Sequence, residues 1–349
     1  MTSPIIRVPA GAGGWTYAWD HRRKPHVHPL ATPAGVVLTR VEPPDHPWQR
    51  GVWFVVKFVD GDNFWEEWDP AGWGVQRHEG APLVDGARVT GDLRWIRPDR
   101  TTVAIHEHRV LRHVPLDDDA YAVDWDVALA VPDGVRSAVL DRTPYTGVWG
   151  GYSGLALRGR EDWHDTRLLL DDGAPQARVA PQRSRWCDLS GTADGRPVGV
   201  CVLDHPDNPA HPVPFYATTR AGDGYGDGWA NTVYPAFLWD GPRVLTAGEA
   251  LRFRYRVAVH DGTWDADRCA AEWRRWTADD ESRSESHRSV RHEWATSPRS
   301  RTTWSTPWRV RYVPVARPAG PAPMTTSGVR RALTPWLLSG PWQLRQRRR

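Results

Sequence analysis

Two stretches alternate apolar and polar residues with a period of two. In AYAVDWDVALAV, Tyr121, Val123, Trp125, Val127, Leu129 and Val131 alternate with Ala122, Asp124, Asp126 and Ala128. In LRFRYRVAVH, Leu251, Phe253, Tyr255, Val257 and Val259 alternate with Arg252, Arg254 and Arg256. Strict alternation gives a strand with one buried face, because successive side chains point to opposite sides of a sheet. The arginine row predicts a solvated face paired with acidic neighbours. Further strands are expected over 36–40, 51–59, 88–96, 101–111, 167–170 and 197–203, separated by turns such as Pro33-Ala34-Gly35, Asp60-Gly61, Pro132-Asp133-Gly134 and Asp240-Gly241-Pro242. A single helix is predicted over about 264–278, where Cys269, Trp273 and Trp276 fall near one face. Strands do not alternate with helices, which excludes a doubly wound fold or an α/β barrel. The fold class is therefore mostly β: a large antiparallel β-sandwich with one C-terminal helix.

The charge is divided along the chain. Residues 281–349 hold 14 Arg and 3 Glu, so the remaining 31 basic and 39 acidic groups leave residues 1–280 with a balance of -8. An acidic body lacks the cationic face that nucleic acid requires. We expect one domain over 1–278 and an Arg/Pro/Ser-rich tail of low order over 279–349. No apolar run approaches a membrane span, and mean hydropathy is -0.59. The opening MTSPIIRVPAGAGG has no secretory pattern. Three cysteines without CxxC spacing predict buried free thiols and a cytoplasmic protein, not a disulfide framework or a cysteine zinc site. Tryptophan appears 22 times against 6 phenylalanines, so most of these rings must fill the core, leaving a handful to line a groove.

The segment Lys24–Trp68 concentrates chemistry. His26 and His28 are one residue apart on an extended stretch and share a face. Asp45-His46 precedes Pro47 and then Arg50-Gly51. Aspartate can orient an imidazole, and Arg50 offers a planar fork. Trp53 lies on the next strand. Asn63-Phe64-Trp65-Glu66 combines an amide, rings and a carboxylate. Calcium at Asp60, Asp62 and Asn63 is a weak reading, since the loop lacks the EF-hand pattern. In His106-Glu107-His108 the histidines share one face of a strand and Glu107 opposes them. The proline-rich loop with His205 and Asn208, and the Gly-rich loop with Trp229, are expected to overhang a groove. Neither GxGxxG nor GxSxG occurs.

KPHVHPLATPAG, TRVEPPDHPWQRGVWF and NFWEE resemble a bacterial family of unassigned function labelled "PmoA family" or "methane oxygenase PmoA". Softer matches at GGYSGLALR, RWCDLSG, GVCVLDHPDNPAHP and LTAGEALRFRYRVAVHDG extend the likeness over roughly residues 20–275. The label is a misnomer for a membrane-embedded copper subunit, which needs several apolar spans absent here. The resemblance implies a galactose-mutarotase-like supersandwich whose concave face takes sugars. Members usually read Asp-His-Pro-His-His-Arg-Gly. Here Trp48 and Gln49 replace the two middle histidines, which weakens a histidine metal site.

These readings converge on a carbohydrate-active protein working by acid–base catalysis. His28, His46 and Glu107 are the candidate proton-handling groups. His26, Asp45, Arg50, Trp53, Asn63, Trp65, His205, Asn208 and Trp229 are the candidate sugar contacts. No cofactor and no metal is expected, and the oligomeric state is open. A non-catalytic sugar-binding module or partner subunit is the rival, and a metal-dependent oxidoreductase the third reading.

Overall fold

The strand Leu251–Asp261 runs through the middle of a nine-stranded antiparallel sheet. Along it lie His164–Leu170, Trp186–Ala193, Arg196–Asp204, Leu251–Asp261, Ala120–Ala130, Val103–Asp117, Arg88–Ile96 and Val75–His78, with Leu83–Asp85 also pairing Arg88–Ile96. An eight-stranded sheet orders Ile5–Ala10, Gly13–Ala18, His26–Ala31, Val52–Val55, Gly154–Arg158, Thr232–Pro235, Pro214–Thr218 and Arg178–Arg183. A smaller four-stranded sheet joins Arg243–Thr246, Ser137–Asp141, Phe58–Val59 and Asp62–Asn63. The computed structural model describes residues 5–20, 23–67, 72–222 and 230–287, with side chains to 278. These all belong to one unit.

The two large sheets pack face to face. Phe54 of the eight-stranded sheet meets Phe253 of the nine-stranded sheet with ring centroids 5.1 Å apart. Leu111, Val123, Val127, Val257 and Val259 join Val27, Val52 and Leu155 in one core. The period-two residues of both opening stretches thus face inward, as alternation requires. Trp15, Trp53, Trp65, Trp95, Trp125, Trp163 and Trp186 are all fully buried, which accounts for much of the tryptophan excess.

The helix Ala266–His287 covers the outer face of the nine-stranded sheet. Asp265 caps it, its Oδ1 accepting the backbone N–H of Arg268 at 2.8 Å. Cys269 and Trp276 pack with Ala122, Cys201, Leu203 and Ala258. The helix runs past the expected end near 278, and the rest of the expected tail, after residue 287, lies outside the described residues.

The same cover corrects the reading of the arginine row as solvated. Arg256 pairs across the strands with Asp124, and Arg254 with Asp126. Arg256 sends Nε and Nη2 to the two oxygens of Asp124 at 2.6 and 2.9 Å, and Nη1 to Glu272 of the helix at 2.7 Å. It is 4 % exposed. The opposite charges were legible; the helix lying over them was not. The stretch 36–40 also departs from expectation. It makes isolated bridges, Ala31 with Val37 and Thr39 with Gly159, and no continuous ladder.

Candidate functional site

Register fixes which side chains of the eight-stranded sheet point away from the core. His26 lies opposite Trp53, and Trp53 opposite Ala156. Arg158 lies opposite Thr232, which pairs Thr218, while Tyr234 pairs Tyr216. Directly paired residues share a face. Because neighbouring Phe54 points into the core, this set points outward. The sheet therefore carries one outer face with His26, Trp53, Arg158, Tyr216, Thr232 and Tyr234.

Rings floor that face. Trp65 meets Trp53 edge-on at 5.6 Å, and Tyr152 stacks on Tyr234 at 4.6 Å with an 18° tilt. Tyr152 also reaches Trp65 at 5.5 Å and Tyr216 at 5.2 Å. Trp53 and Trp65 were expected to present open stacking surfaces. They are instead 0 % and 2 % exposed, because each covers the other. Trp53 Nε1 and Thr232 Oγ1 are buried and have no hydrogen-bond partner among the described residues.

Polar groups ring this floor. His46 Nδ1 lies 2.7 Å from Asp45 Oδ2, which also accepts Nη2 of Arg158 at 2.9 Å. Arg158 Nη1 donates to Gln49 Oε1 at 2.8 Å, and Gln49 Nε2 donates to the Tyr234 hydroxyl at 3.2 Å. Gln49 thus carries a defined task where the resembling family has histidine: it couples the dyad to the rings. Trp48 packs edge-on against His46 at 5.1 Å. Partial burial opposes ionisation of Asp45. The hydrogen bond from His46 and the charge of Arg158 outweigh it and hold the carboxyl below the usual carboxylate range.

A second group surrounds Lys24. This lysine is 1 % exposed. Its Nζ donates to the carbonyl of Trp65 and lies 6.0 Å from the centre of the Trp53 ring. Desolvation lowers its pKa to about 8, against the opposing pull of Glu67. Arg50 donates to Glu42 at 2.9 Å, to Glu67 at 3.3 Å and to the Pro47 carbonyl at 3.4 Å. Its fork is therefore committed to the protein rather than held out to a ligand. Gly51 must be glycine: its φ is +63°, and a Cβ would stand 2.4 Å from the Val27 carbonyl oxygen. Lys57 pairs with Glu66 at 2.6 Å, leaving Glu66 Oε2 buried without a partner among the described residues. Lys24 and Lys57 are the only lysines in the sequence, and both border this face.

The remaining candidates divide. His26 Nδ1 lies 3.0 Å from the Lys24 carbonyl, and burial pushes its pKa down to about 4. His28 Nδ1 lies 2.9 Å from Thr39 Oγ1, and burial lowers its pKa as well. Both rings favour the neutral form. Asn63 Oδ1 accepts the backbone N–H groups of Trp65 and Glu66 at 2.8 and 3.3 Å, so it shapes the turn that delivers them. Asp60 and Asp62, the weak calcium pair, are held by the fork of Arg97 at 2.6 and 2.5 Å.

Glu107 is not brought to His28 and His46. Strand alternation turns it inward, between the sheets, as it turns His106 and His108 outward. It accepts Nε of Arg109 at 2.5 Å and Nε1 of Trp95 at 2.7 Å. Arg109 in turn donates to the carbonyls of Pro25 and Phe54, each at 3.3 Å. Glu107 therefore supports, from behind, the strands that carry His26 and Trp53.

His205 and Asn208 also lie elsewhere. Their loop follows a strand of the nine-stranded sheet and packs under the helix, where His205 meets Trp276 edge-on at 5.2 Å. Asn208 Nδ2 donates to Asp204 at 2.7 Å and to the Arg254 carbonyl at 2.6 Å. Trp229 lies outside the described residues. Sequence reasoning missed Lys24, Arg158, Tyr152, Tyr216 and Tyr234. The isolated use of lysine was the one signal available; the tyrosines meet only through strand pairing.

A shallow hollow lined by Asp117, Asp119, Trp264 and Arg268 opens at the start of the helix. It shares no residue with the ringed face and lacks its converging donors and acceptors. Among the described residues, no helix is long and apolar enough to cross a membrane. No curated protein matches the chain. The model of a family of unknown function, DUF6807, matches residues 10–274, and the chain belongs to that family.

Proposed function

We propose that the outer face of the eight-stranded sheet binds a neutral, polyhydroxylated ring compound, a sugar or modified glycoside, and that His46 moves a proton on it. The observation that carries this reading is the Asp45–His46 contact at 2.7 Å, with Arg158 on the same carboxylate oxygen. A carboxylate kept ionised beside Nδ1 orients the imidazole and leaves Nε2 for a substrate. His46 is partly exposed, which suits access. His28 and Glu107 leave the proton-handling set, one tied to Thr39 and the other between the sheets.

Charge favours a neutral ligand. Lys24, Arg50, Lys57 and Arg158 are offset by Glu42, Asp45, Glu66 and Glu67, to which they are bonded or adjacent. An anionic substrate would find no surplus cation here. The likeness to sugar-mutarotase supersandwiches agrees with a ligand on a sheet face. Non-catalytic sugar binding is the second reading, favoured by the neutral His26 and His28.

A thermal-shift screen of the full chain against neutral sugars, oxidised neutral sugars and sugar acids tests the proposal. Stabilisation by neutral members is the expected result. Stabilisation by sugar acids or sugar phosphates alone contradicts it.

A further inference from the structure

Five polar side chains converge beneath the helix, in an interface otherwise built from Trp186, Leu203, Ala258, Trp264 and Trp276. Asp188 and Cys201 are directly paired across two strands, and Cys269 descends from the helix. One ligand atom from each of these three lies within 4.8 Å of the others, and all three residues are buried. Ser190 donates its hydroxyl to Asp188 Oδ2, and His260 Nε2 lies 3.0 Å from Asp188 Oδ1. His260 stacks on Trp264 at 4.4 Å, which fixes its plane.

We infer that Asp188, Cys201 and Cys269 form a binding site for a thiophilic divalent cation of the zinc type, which pins the helix to the sheet. Two sulfurs and a carboxylate match the donor preference of such an ion. Tetrahedral bonds of about 2.3 Å place two sulfurs ~3.8 Å apart. The observed spacing therefore needs only a small contraction. The remaining coordination position falls to water or to His260 Nε2.

The surroundings supply the independent argument. A carboxylate with 0 % side-chain exposure, set beside two thiols in an apolar layer, is costly to bury. His260 offsets that single charge: its Nδ1 faces the carbonyls of Asp261 and Gly262 at 3.4 and 3.2 Å, and its Nε2 faces Asp188. With acceptors at both nitrogens, the ring is placed as an imidazolium. A divalent cation with two thiolates then adds no net charge. Ser190 and His260 hold the carboxylate as outer partners hold a metal ligand. Cys187 lies on the opposite face of its strand, in the main core, and takes no part.

The test is elemental analysis and X-ray absorption at the metal edge, on full-length protein purified without added chelator. About one ion per chain with sulfur neighbours at ~2.3 Å is expected, retained in Cys187→Ala and lost in the Cys201→Ser/Cys269→Ser double variant. Should the double variant fail to fold, the sulfur signal of the wild type and of Cys187→Ala still decides the matter, since the chain has three cysteines. An ion-free wild type, or an ion with only nitrogen and oxygen neighbours, overturns the inference.

Discussion

Asp45 holds His46 at 2.7 Å through an oxygen that Arg158 shares at 2.9 Å. This contact joins a loop residue to a fully buried strand residue. It makes the dyad's geometry depend on the eight-stranded sheet rather than on the loop alone. Gln49 and Tyr234 extend the same chain of bonds into the ring floor.

Asp45→Asn is expected to destabilise the fold by about 1–3 kcal/mol near neutral pH, because a charge-assisted pair with Arg158 is lost. The folded-state pKa of Asp45 is depressed. Its contribution is therefore present above the unfolded value and disappears as pH falls through the folded one. Urea unfolding of wild type and variant should converge below about pH 4. A gap that persists undiminished in acid would rule out this role for the carboxylate.

Lys24 gives the opposite dependence. Its pKa of about 8 lies below the model value of 10.5, so folding disfavours its charged form. The unfolded chain binds more protons between those values, and stability rises with pH across that window. Lys24→Met should remove this rise. Relative to wild type, the variant is expected to be less stable at pH 10 than at pH 8, by up to about 3 kcal/mol. Parallel stability curves for the two proteins would count against a desolvated amine.

His26 should titrate near pH 4, because burial opposes its charge. A histidine held neutral contributes nothing adverse above the unfolded pKa near 6.5 and costs stability as pH falls toward the folded value. The imidazole C–H resonance of His26, assigned by comparison with His26→Gln, reads this directly. A midpoint above pH 6 would contradict the burial argument.

Glu107→Leu leaves the Arg109 guanidinium, 1 % exposed, without its carboxylate. The expected loss is about 3–5 kcal/mol. Replacing both partners, Glu107→Leu with Arg109→Met, should be milder than the single change, because no buried charge then remains. Denaturant midpoints compare them. A double variant worse than the single one would mean that the Arg109 bonds to Pro25 and Phe54 dominate.

Much of the fold was legible because it rests on local pattern. The strands around Tyr121–Val131 and Leu251–Val259 announce themselves by alternation, and the helix by Cys269 and Trp276. The position of the helix was hidden, since Arg256–Glu272 is a contact that no single segment encodes. The site divides in the same way. Asp45-His46 is contiguous and readable. Tyr152, Tyr216 and Tyr234 come from separate strands and meet only through sheet order. Glu107 was misplaced because alternation tells which residues share a face but not whether that face meets solvent or a second sheet. His205 and Asn208 were misplaced because a rigid polar loop reads alike whether it overhangs a groove or supports a helix.

The most direct measurement is the rate at which the protein converts a neutral sugar identified by thermal shift, for wild type and His46→Ala at neutral pH. With the variant folded and still binding, a fall of roughly 10²–10⁴ is expected for loss of the general base. An unchanged rate in a folded His46→Ala protein would contradict the account.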